Sequence, residues 1–427
     1  METKLLLRVP TVAIFVYMSS KKQILFNDPI YGFITVPDPL IHQIINHPYF
    51  QRLQRIRQLG LTSLVYPGAL HTRFHHAMGA MHLTMQAVAV LKAKGVAISE
   101  EEARGVIIAV LLHDIGHGPF SHALEHSIVH DISHEDISEM FFEKLNKHFS
   151  GKLSIAQKIF SNTYKKKFLH QLVSSQLDMD RLDYLNRDSF FTGVSEGVIS
   201  SDRIIRMLNV VNDELVVDAK GIYSIEKFII ARRLMYWQVY LHKTVLSAEY
   251  LLVNILKRAK ELAEKKKKLF CTPALEVFLY NRYGKKDFIS KTDLLDMFAQ
   301  LDDSDVYASV KTWTNNSDHV LSTLCANLVN RQLYKVIIQN EPFSDKLVND
   351  LKKKVESSYK LKQHESGYFV FTHSESNDAY RPDKIRINVL YKDGKISDIT
   401  QASDQSYLLG LQKTVKKYFL CYPKNIV

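Results

Sequence analysis

Leu111-Leu112-His113-Asp114-Ile115-Gly116-His117-Gly118-Pro119-Phe120-Ser121-His122 is the stretch from which the rest of this chain can be read. An apolar run over residues 105–112 delivers an adjacent His-Asp pair, and two glycines and a proline then bring His117 and His122 close to it. Imidazole nitrogen beside carboxylate oxygen suits a divalent metal of borderline or hard character, and two ligands on one short segment require partners from other elements. A lone His-Asp dipeptide is common by chance. Three histidines and an acid within ten residues are hard to explain as packing, because each buried imidazole needs a hydrogen-bond partner. The competing reading is a polar helix end carrying surface histidines.

Upstream, Ser99 followed by three glutamates caps and starts the helix that runs into His113. Before it, residues 76–94 carry Met78, Met81, Met85, Val88 and Leu91 at helical spacing, a stripe that reads as core, with His76 at the helix head. Residues 50–59 place Phe50, Leu53, Ile56 and Leu59 at the same spacing and predict a helix ended by Gly60. Residues 39–45 predict a further helix, and residues 22–36 two short strands around Asp28-Pro29 and Gly32.

Downstream, residues 124–129 and 135–147 predict helices, and residues 165–173 lead into the stretch 174–188. On the next helix Asp180, Tyr184 and Asp188 recur every fourth residue and share a face, with Arg181 beside Tyr184. A solvated, salt-bridged face is the competing reading there. Valine-rich pieces around Asn212-Asp213 predict a β-hairpin, and residues 224–269 read as one long helix. On it Arg232 and Lys243, eleven residues apart, would point the same way about 16 Å apart along the axis. Helices continue to about residue 340 and resume at 344–359. Strands follow at 368–372, 384–391 and 394–398, and a last helix at 407–418.

The fold class is therefore mainly α with small β-hairpins, ending in an α+β region. At 427 residues the chain exceeds one ordinary core, and a break near 265–345 divides residues 18–265 from residues 266–427. Residues 1–17 read as an extension, either disordered or upstream of a true start at Met18, since no small-residue cleavage site follows them. A hydrophobic content of 46% with 24% charged residues excludes disordered and fibrous classes. No apolar run approaches the ~20 residues that span a bilayer. The three cysteines lack metal-ligand spacing and read as reduced thiols of a cytoplasmic protein. A net charge of +11 favours an anionic partner, whether nucleotide, nucleic acid or acidic surface. Walker, Rossmann and serine-elbow motifs are absent. The one chemical set is His76, His113, Asp114 and an acid on the Asp180 helix. Two imidazoles and two carboxylates of that kind hold one divalent ion and leave positions open for water and phosphate.

Taken together, these residues resemble the HD-domain metal-dependent phosphohydrolases, and more closely their deoxynucleoside triphosphate triphosphohydrolases. The likeness is carried in order by Asn27-Asp28-Pro29-Ile30-Tyr31-Gly32, Phe50-Gln51-Arg52-Leu53, Arg57-Gln58-Leu59-Gly60, Tyr66-Pro67-Gly68-Ala69, Arg73-Phe74-His75-His76, His113 to His122, Ser133-His134-Glu135, Asp180-Arg181-Leu182-Asp183-Tyr184 with Arg187-Asp188, and Tyr240-Leu241-His242-Lys243. It covers about residues 21–340. The resemblance implies an HD-type helical bundle with His76, His113, Asp114 and Asp180 as ligands of one divalent transition metal per chain (Mn, Fe, Ni, Zn or Co, with or without Mg). His122 and Glu125 fall on the catalytic pair, and His117 and His134 on histidines at the scissile phosphate. Arg73, Arg181, Tyr184, Arg232 and Lys243 match triphosphate contacts, and Gln58, Leu59, Asp188 and Tyr236 the sugar and base side. The implied partners are a dNTP substrate and further copies of the chain, as dimer or tetramer, without a membrane. The charge leaves nucleic acid open as a partner. Alternative activities are hydrolysis of a monophosphate, cyclic nucleotide or alarmone, or a nucleic-acid-binding or nuclease role. His75 stands where some relatives carry an acid, and Arg181 where some carry lysine. Asn46, Gln51 and Gln54 keep only the glutamine of an Asp, Gln and Arg set that reads guanine in activated relatives, which argues against that activation.

Overall fold

A computed structural model describes residues 24–120, 131–377, 380–381, 385–405, 410 and 414–426. The chain opens with an antiparallel hairpin, β1 (Leu25–Asp28) and β2 (Gly32–Thr35), turned at Gly32 with a positive φ. Helices α1 (Pro39–Ile45) and α2 (Pro48–Gln51) follow, each with proline in its first turn, where a missing N–H costs nothing. The central layer is α3 (Arg73–Ala93) packed against α4 (Glu100–Leu112), α4 held at its start by a Ser99–Glu102 capping box.

Next come α5 (His134–His148), α6 (Ser154–Phe160), α7 (Lys167–Val173), α8 (Met179–Thr192) and α9 (Ser201–Met207). The predicted hairpin is β3 (Leu208–Val211) and β4 (Glu214–Asp218), with Asn212 and Asp213 both at positive φ in its turn. Helices α10 (Ile222–Met235) and α11 (Lys243–Glu264) follow. Beyond them lie α12 (Pro273–Tyr280), α13 (Lys285–Ser290), α14 (Thr292–Gln300), α15 (Asp303–Trp313) and α16 (His319–Val329). The rest is β5 (Lys335–Gln339), α17 (Asp345–Tyr359), β6 (Phe371–Asn377), β7 (Asn388–Leu390), β8 (Ile396–Asp398), α18 (Ile399–Ala402) and β9 (Val415–Tyr422).

Strands β7 and β8 extend the β3–β4 hairpin into a four-stranded sheet, β4 pairing parallel to β7 with Val217 opposite Val389. The 266–427 segment thus completes a sheet begun in the 18–265 segment. One apolar cluster runs from Ile34 through Tyr422. Among the described residues no helix is long and apolar enough to cross a membrane.

Four predicted elements differ. The helix expected over residues 50–59 ends at Gln51, and a 3-10 turn (Arg52–Arg55) leads to an extended Ile56. The fully buried Arg52 cannot sit on a regular amphipathic helix. It donates inward to the carbonyls of Ile115 (2.9 Å) and His117 (2.8 Å), bracing the loop after α4. The chain then pairs with the segment before α3, Gln58 N donating to His71 O at 3.0 Å. The single helix expected over residues 224–269 breaks as well. A wide π turn (Tyr236–Tyr240) and an extended His242, whose Nδ1 caps Thr244 N at 3.2 Å, separate α10 from α11. No Gly or Pro marks the break, so hydrophobic periodicity ran through it.

At the chain's end, residues 415–418 form the start of β9 instead of the end of a helix over 407–418. That strand is central between β5 and β6, where its β-branched and aromatic residues pack well on a pleated surface. Strand β5, read as helix in the sequence, is its partner. The helix expected at 124–129 lies outside the described residues.

Candidate functional site

Helices α3, α4 and α8 meet at one point. His76 stands in the first turn of α3, His113 caps the end of α4, Asp114 follows it, and Asp180 lies in the first turn of α8. His76, His113 and Asp114 each place a ligand atom within 4.8 Å of the others, a spacing that fits one metal ion. Asp180 Oδ1 joins them at 3.1 Å from His76 Nε2 and 3.5 Å from His113 Nε2. The Asp180 face is thus turned into the protein, and the solvated alternative is overturned.

What orients His76 is a saturated buried network. Its Nδ1 lies 2.7 Å from Asp183 Oδ2, leaving Nε2 for the cluster. Asp183 accepts two hydrogen bonds from Arg187, at 2.9 Å each, and Arg187 also donates to Asp28 on the first hairpin at 2.8 Å. All three side chains are essentially inaccessible to solvent. Gly79, one turn along α3 from His76, makes this possible. A Cβ there would stand 2.0 Å from Asp183 Oδ1 and 2.2 Å from an Arg187 nitrogen. Gly116 serves the loop after α4 in the same way, since its Cβ would fall 2.2 Å from His134 O. Ser138 fastens that loop, accepting from Gly116 N at 2.9 Å and donating to His113 O at 3.0 Å.

The electrostatics follow from these contacts. Burial works against protonated His76, yet the carboxylates of Asp180 and Asp183 outweigh it and hold the imidazole up to about 10. Burial also opposes ionised Asp114 and Asp180, but His113, His117 and Arg73 hold the first carboxyl, and His113 and His76 the second, well below the usual range. Two ionised carboxylates beside two imidazoles are the donor set that a divalent cation would meet there. His117 goes the other way: burial, then Arg73, push it down to about 3, so it is neutral at physiological pH. It stacks on His134 with ring centres 3.9 Å apart.

Beside the cluster lies a cavity of about 420 Å³. Arg73 links the two: it lines the cavity and donates to Asp114 Oδ2 at 2.6 Å. Gln58 and Leu59, in the segment that departs from the predicted helix, form one wall, and Tyr236 with Tyr240 on the π turn form another. Arg181 and Arg232 both lie close enough to Tyr184 to favour its ionised form against a dominant burial effect. Arg181 is itself held by Asp178.

Of the residues singled out in the sequence, His76, His113, Asp114, Asp180, His117, His134, Arg73, Arg181, Tyr184, Arg232, Gln58, Leu59 and Tyr236 gather around the cluster and cavity. His122 and Glu125 lie outside the described residues. Asp188 is buried, its oxygens engaged by His71 Nε2 at 2.8 Å and Tyr240 Oη at 2.7 Å. Lys243 begins α11 and is exposed, and the break before it ends the shared helical face assumed for Arg232 and Lys243. Sequence reading gave no role to Asp183, Arg187, His71 or Tyr240. The i, i+4 pairing of Asp183 with Arg187 next to a metal ligand was the signal available for the first two.

The HD domain family matches residues 73–188, and the HD associated region matches residues 199–272. The uncharacterized protein YwfO of Bacillus subtilis is 32% identical over 417 residues, covering 94% of this chain and 92% of that protein. The human deoxynucleoside triphosphate triphosphohydrolase SAMHD1 is 32% identical over 261 residues, which span 51% of this chain and 41% of that protein. The crystal structure of a phosphohydrolase from Bacteroides thetaiotaomicron is 51% identical, with a TM-score of 0.92 over 94% of this chain and all of that one. A hypothetical protein from Aquifex aeolicus superposes with a TM-score of 0.70 at 27% identity over 95% of this chain and 98% of that one. With a His-His-Asp cluster at the meeting of three helices and likeness along nearly its whole length, the chain belongs to the HD-domain phosphohydrolase family and resembles its dNTP triphosphohydrolases.

Proposed function

We propose that this chain hydrolyses deoxynucleoside triphosphates to deoxynucleoside and inorganic triphosphate, with one divalent transition metal per chain held by His76, His113, Asp114 and Asp180. The observation that carries the reading is the placement of this ligand set at one end of a cavity of nucleotide size, joined by Arg73. A divalent ion in such a site supplies Lewis acidity at phosphorus and acidifies a bound water. The chain's own residues do the rest. Arg73, Arg181 and Arg232 hold the negative charge of the triphosphate, with Tyr184 as a hydroxyl donor among them. Neutral His117, stacked on His134, offers an uncharged donor at the scissile phosphate. By the resemblance, His122 protonates the leaving 5′-oxygen while Glu125 orients its ring. Gln58, Leu59 and Tyr236 enclose the sugar and base. A sugar hydroxyl reaches Asp188 beside Tyr240 or in exchange with it.

Incubation of the purified chain and manganese with dNTPs, NTPs, dNMPs and single-stranded DNA tests this. Triphosphate released from dNTPs is the expected product. Release of orthophosphate, turnover of monophosphates alone, or cleavage of DNA would overturn the reading.

A further inference from the structure

The cavity has a second end, away from the metal cluster. Its floor is one face of α11, where Leu246, Glu249, Tyr250 and Val253 recur at three- and four-residue spacing, and Glu375 of β6 closes it. Glu249 lies six residues beyond Lys243, ~9 Å along the helix. The half-buried Glu249 makes no hydrogen bond or ion pair among the described residues. Burial, and after it the like charge of Glu375, push its carboxyl up to about 7, as befits an acid with no cation beside it. Glu375 is better served, since it accepts from Tyr250 Oη at 3.2 Å and lies 2.8 Å from His373 Nε2. Gln58, which also lines the cavity, keeps its Oε1 buried and without a partner among the described residues. Two hydrogen-bond acceptors thus lack donors, in a cavity whose walls also carry the rings of Tyr236, Tyr240 and Tyr250. Gln58 Oε1, being buried, is costly to leave unsatisfied, and Glu249 faces the cavity with no cation beside it, so the complement of these two is a flat group with N–H donors on its edge.

The geometry points to Glu249 as the residue that reads the base and favours guanine, which rests on the dNTP reading above. Guanine presents N1–H and the N2 amino group side by side, a pair that one carboxylate accepts in bidentate fashion. Thymine presents a single N–H between two carbonyl oxygens, which a carboxylate repels. Adenine and cytosine, with one amino group each, fall between. The tyrosine rings take any base and do not discriminate.

The test compares kcat/KM for dGTP and dTTP in the manganese-loaded full chain, in Glu249→Gln and in Glu249→Ala. Equilibrium dialysis of both nucleotides, with calcium in place of manganese, accompanies it. The wild type should prefer dGTP by about 5- to 150-fold, the range of one bidentate base contact. Glu249→Gln should remove about tenfold or more of the dGTP value while leaving dTTP within about twofold, so dTTP turnover reports an intact fold. A dGTP-to-dTTP ratio equal in all three proteins would overturn the inference while leaving the dNTP reading standing. If no dNTP is hydrolysed at all, that reading fails and dialysis decides the inference: retention of dGTP over dTTP that is lost in Glu249→Gln supports it, and equal or absent binding overturns it.

Discussion

The network behind the metal ligands and the lining of the cavity are built on opposite plans. At the metal end every acid that orients a ligand is matched: Asp183 by His76 and Arg187, Asp28 by Arg187, and Asp178 by Arg181. Facing the cavity, Glu249 on α11 and the Gln58 oxygen on the wall nearer α3 have no partner among the described residues. Saturated networks fix geometry, because each member is held by more than one bond. Unsatisfied groups in a cavity instead leave interaction free energy for something that arrives. The network is set before substrate binds, and the lining is completed by substrate.

The largest effect that would break this contrast is removal of the cluster itself. His113→Ala with Asp114→Ala should abolish metal content and turnover while leaving the helical circular dichroism signal unchanged. Turnover at the wild-type level in that variant would sink the metal assignment. Next comes the network behind the ligands. Arg187→Met strands two buried carboxylates and should cost about 3–5 kcal/mol in urea unfolding. A loss below ~1 kcal/mol would mean that the network is no more than a surface-like ion pair. Asp183→Asn keeps the shape but weakens the hold on His76, and should lower metal affinity by about 10- to 100-fold in competition titrations. Unchanged affinity would show that His76 needs no such support.

Across the break between α10 and α11 the expected effects are unequal. Arg232→Ala should lower kcat/KM for dNTPs by about 10- to 100-fold, the worth of one charge-assisted hydrogen bond. Exposed Lys243→Ala should stay within about threefold, as rim charges do. Equal losses would restore the shared face that the sequence suggests. The smallest effect concerns Asp303, at the start of α15. Burial raises its carboxyl to about 6, so the folded chain keeps a proton that the unfolded chain releases near pH ~4. Stability must then fall as pH rises from about 4 to about 6. Asp303→Asn still offers an acceptor to Arg57 N, which Asp303 now serves at 3.0 Å. It should therefore gain about 1–2 kcal/mol at pH 7.5 and nothing at pH 4. Equal stabilities at both pH values would show that the arginines nearby already compensate the charge.

Much of this was legible in the residues. The histidines and aspartates announced themselves by type and crowding, and capped helices such as α4 were marked at both ends. Local signals failed where tertiary contacts decided the backbone. Arg52 reads as a polar position on an amphipathic helix, yet it turns inward because two carbonyls of a loop more than sixty residues away accept from it. Strand β9 is written in residues that suit helix or strand, and only its neighbours β5 and β6 choose between them. The pairing of Asp183 with Arg187 looks like any surface i, i+4 pair until Gly79 is seen pressed against it.

The π turn at Tyr236–Tyr240 carries about one residue more than a regular helical turn, just before the chain opens at His242 to start α11. Each added residue swings the downstream helix by about 100° around the axis. Trimming a single residue there would rotate Tyr240 off Asp188 and the α11 floor off the cavity. Chain length over these few positions is therefore under tighter constraint than the identity of most side chains within them, and sequences aligned across this point should shift by whole residues only where the cavity itself has changed shape.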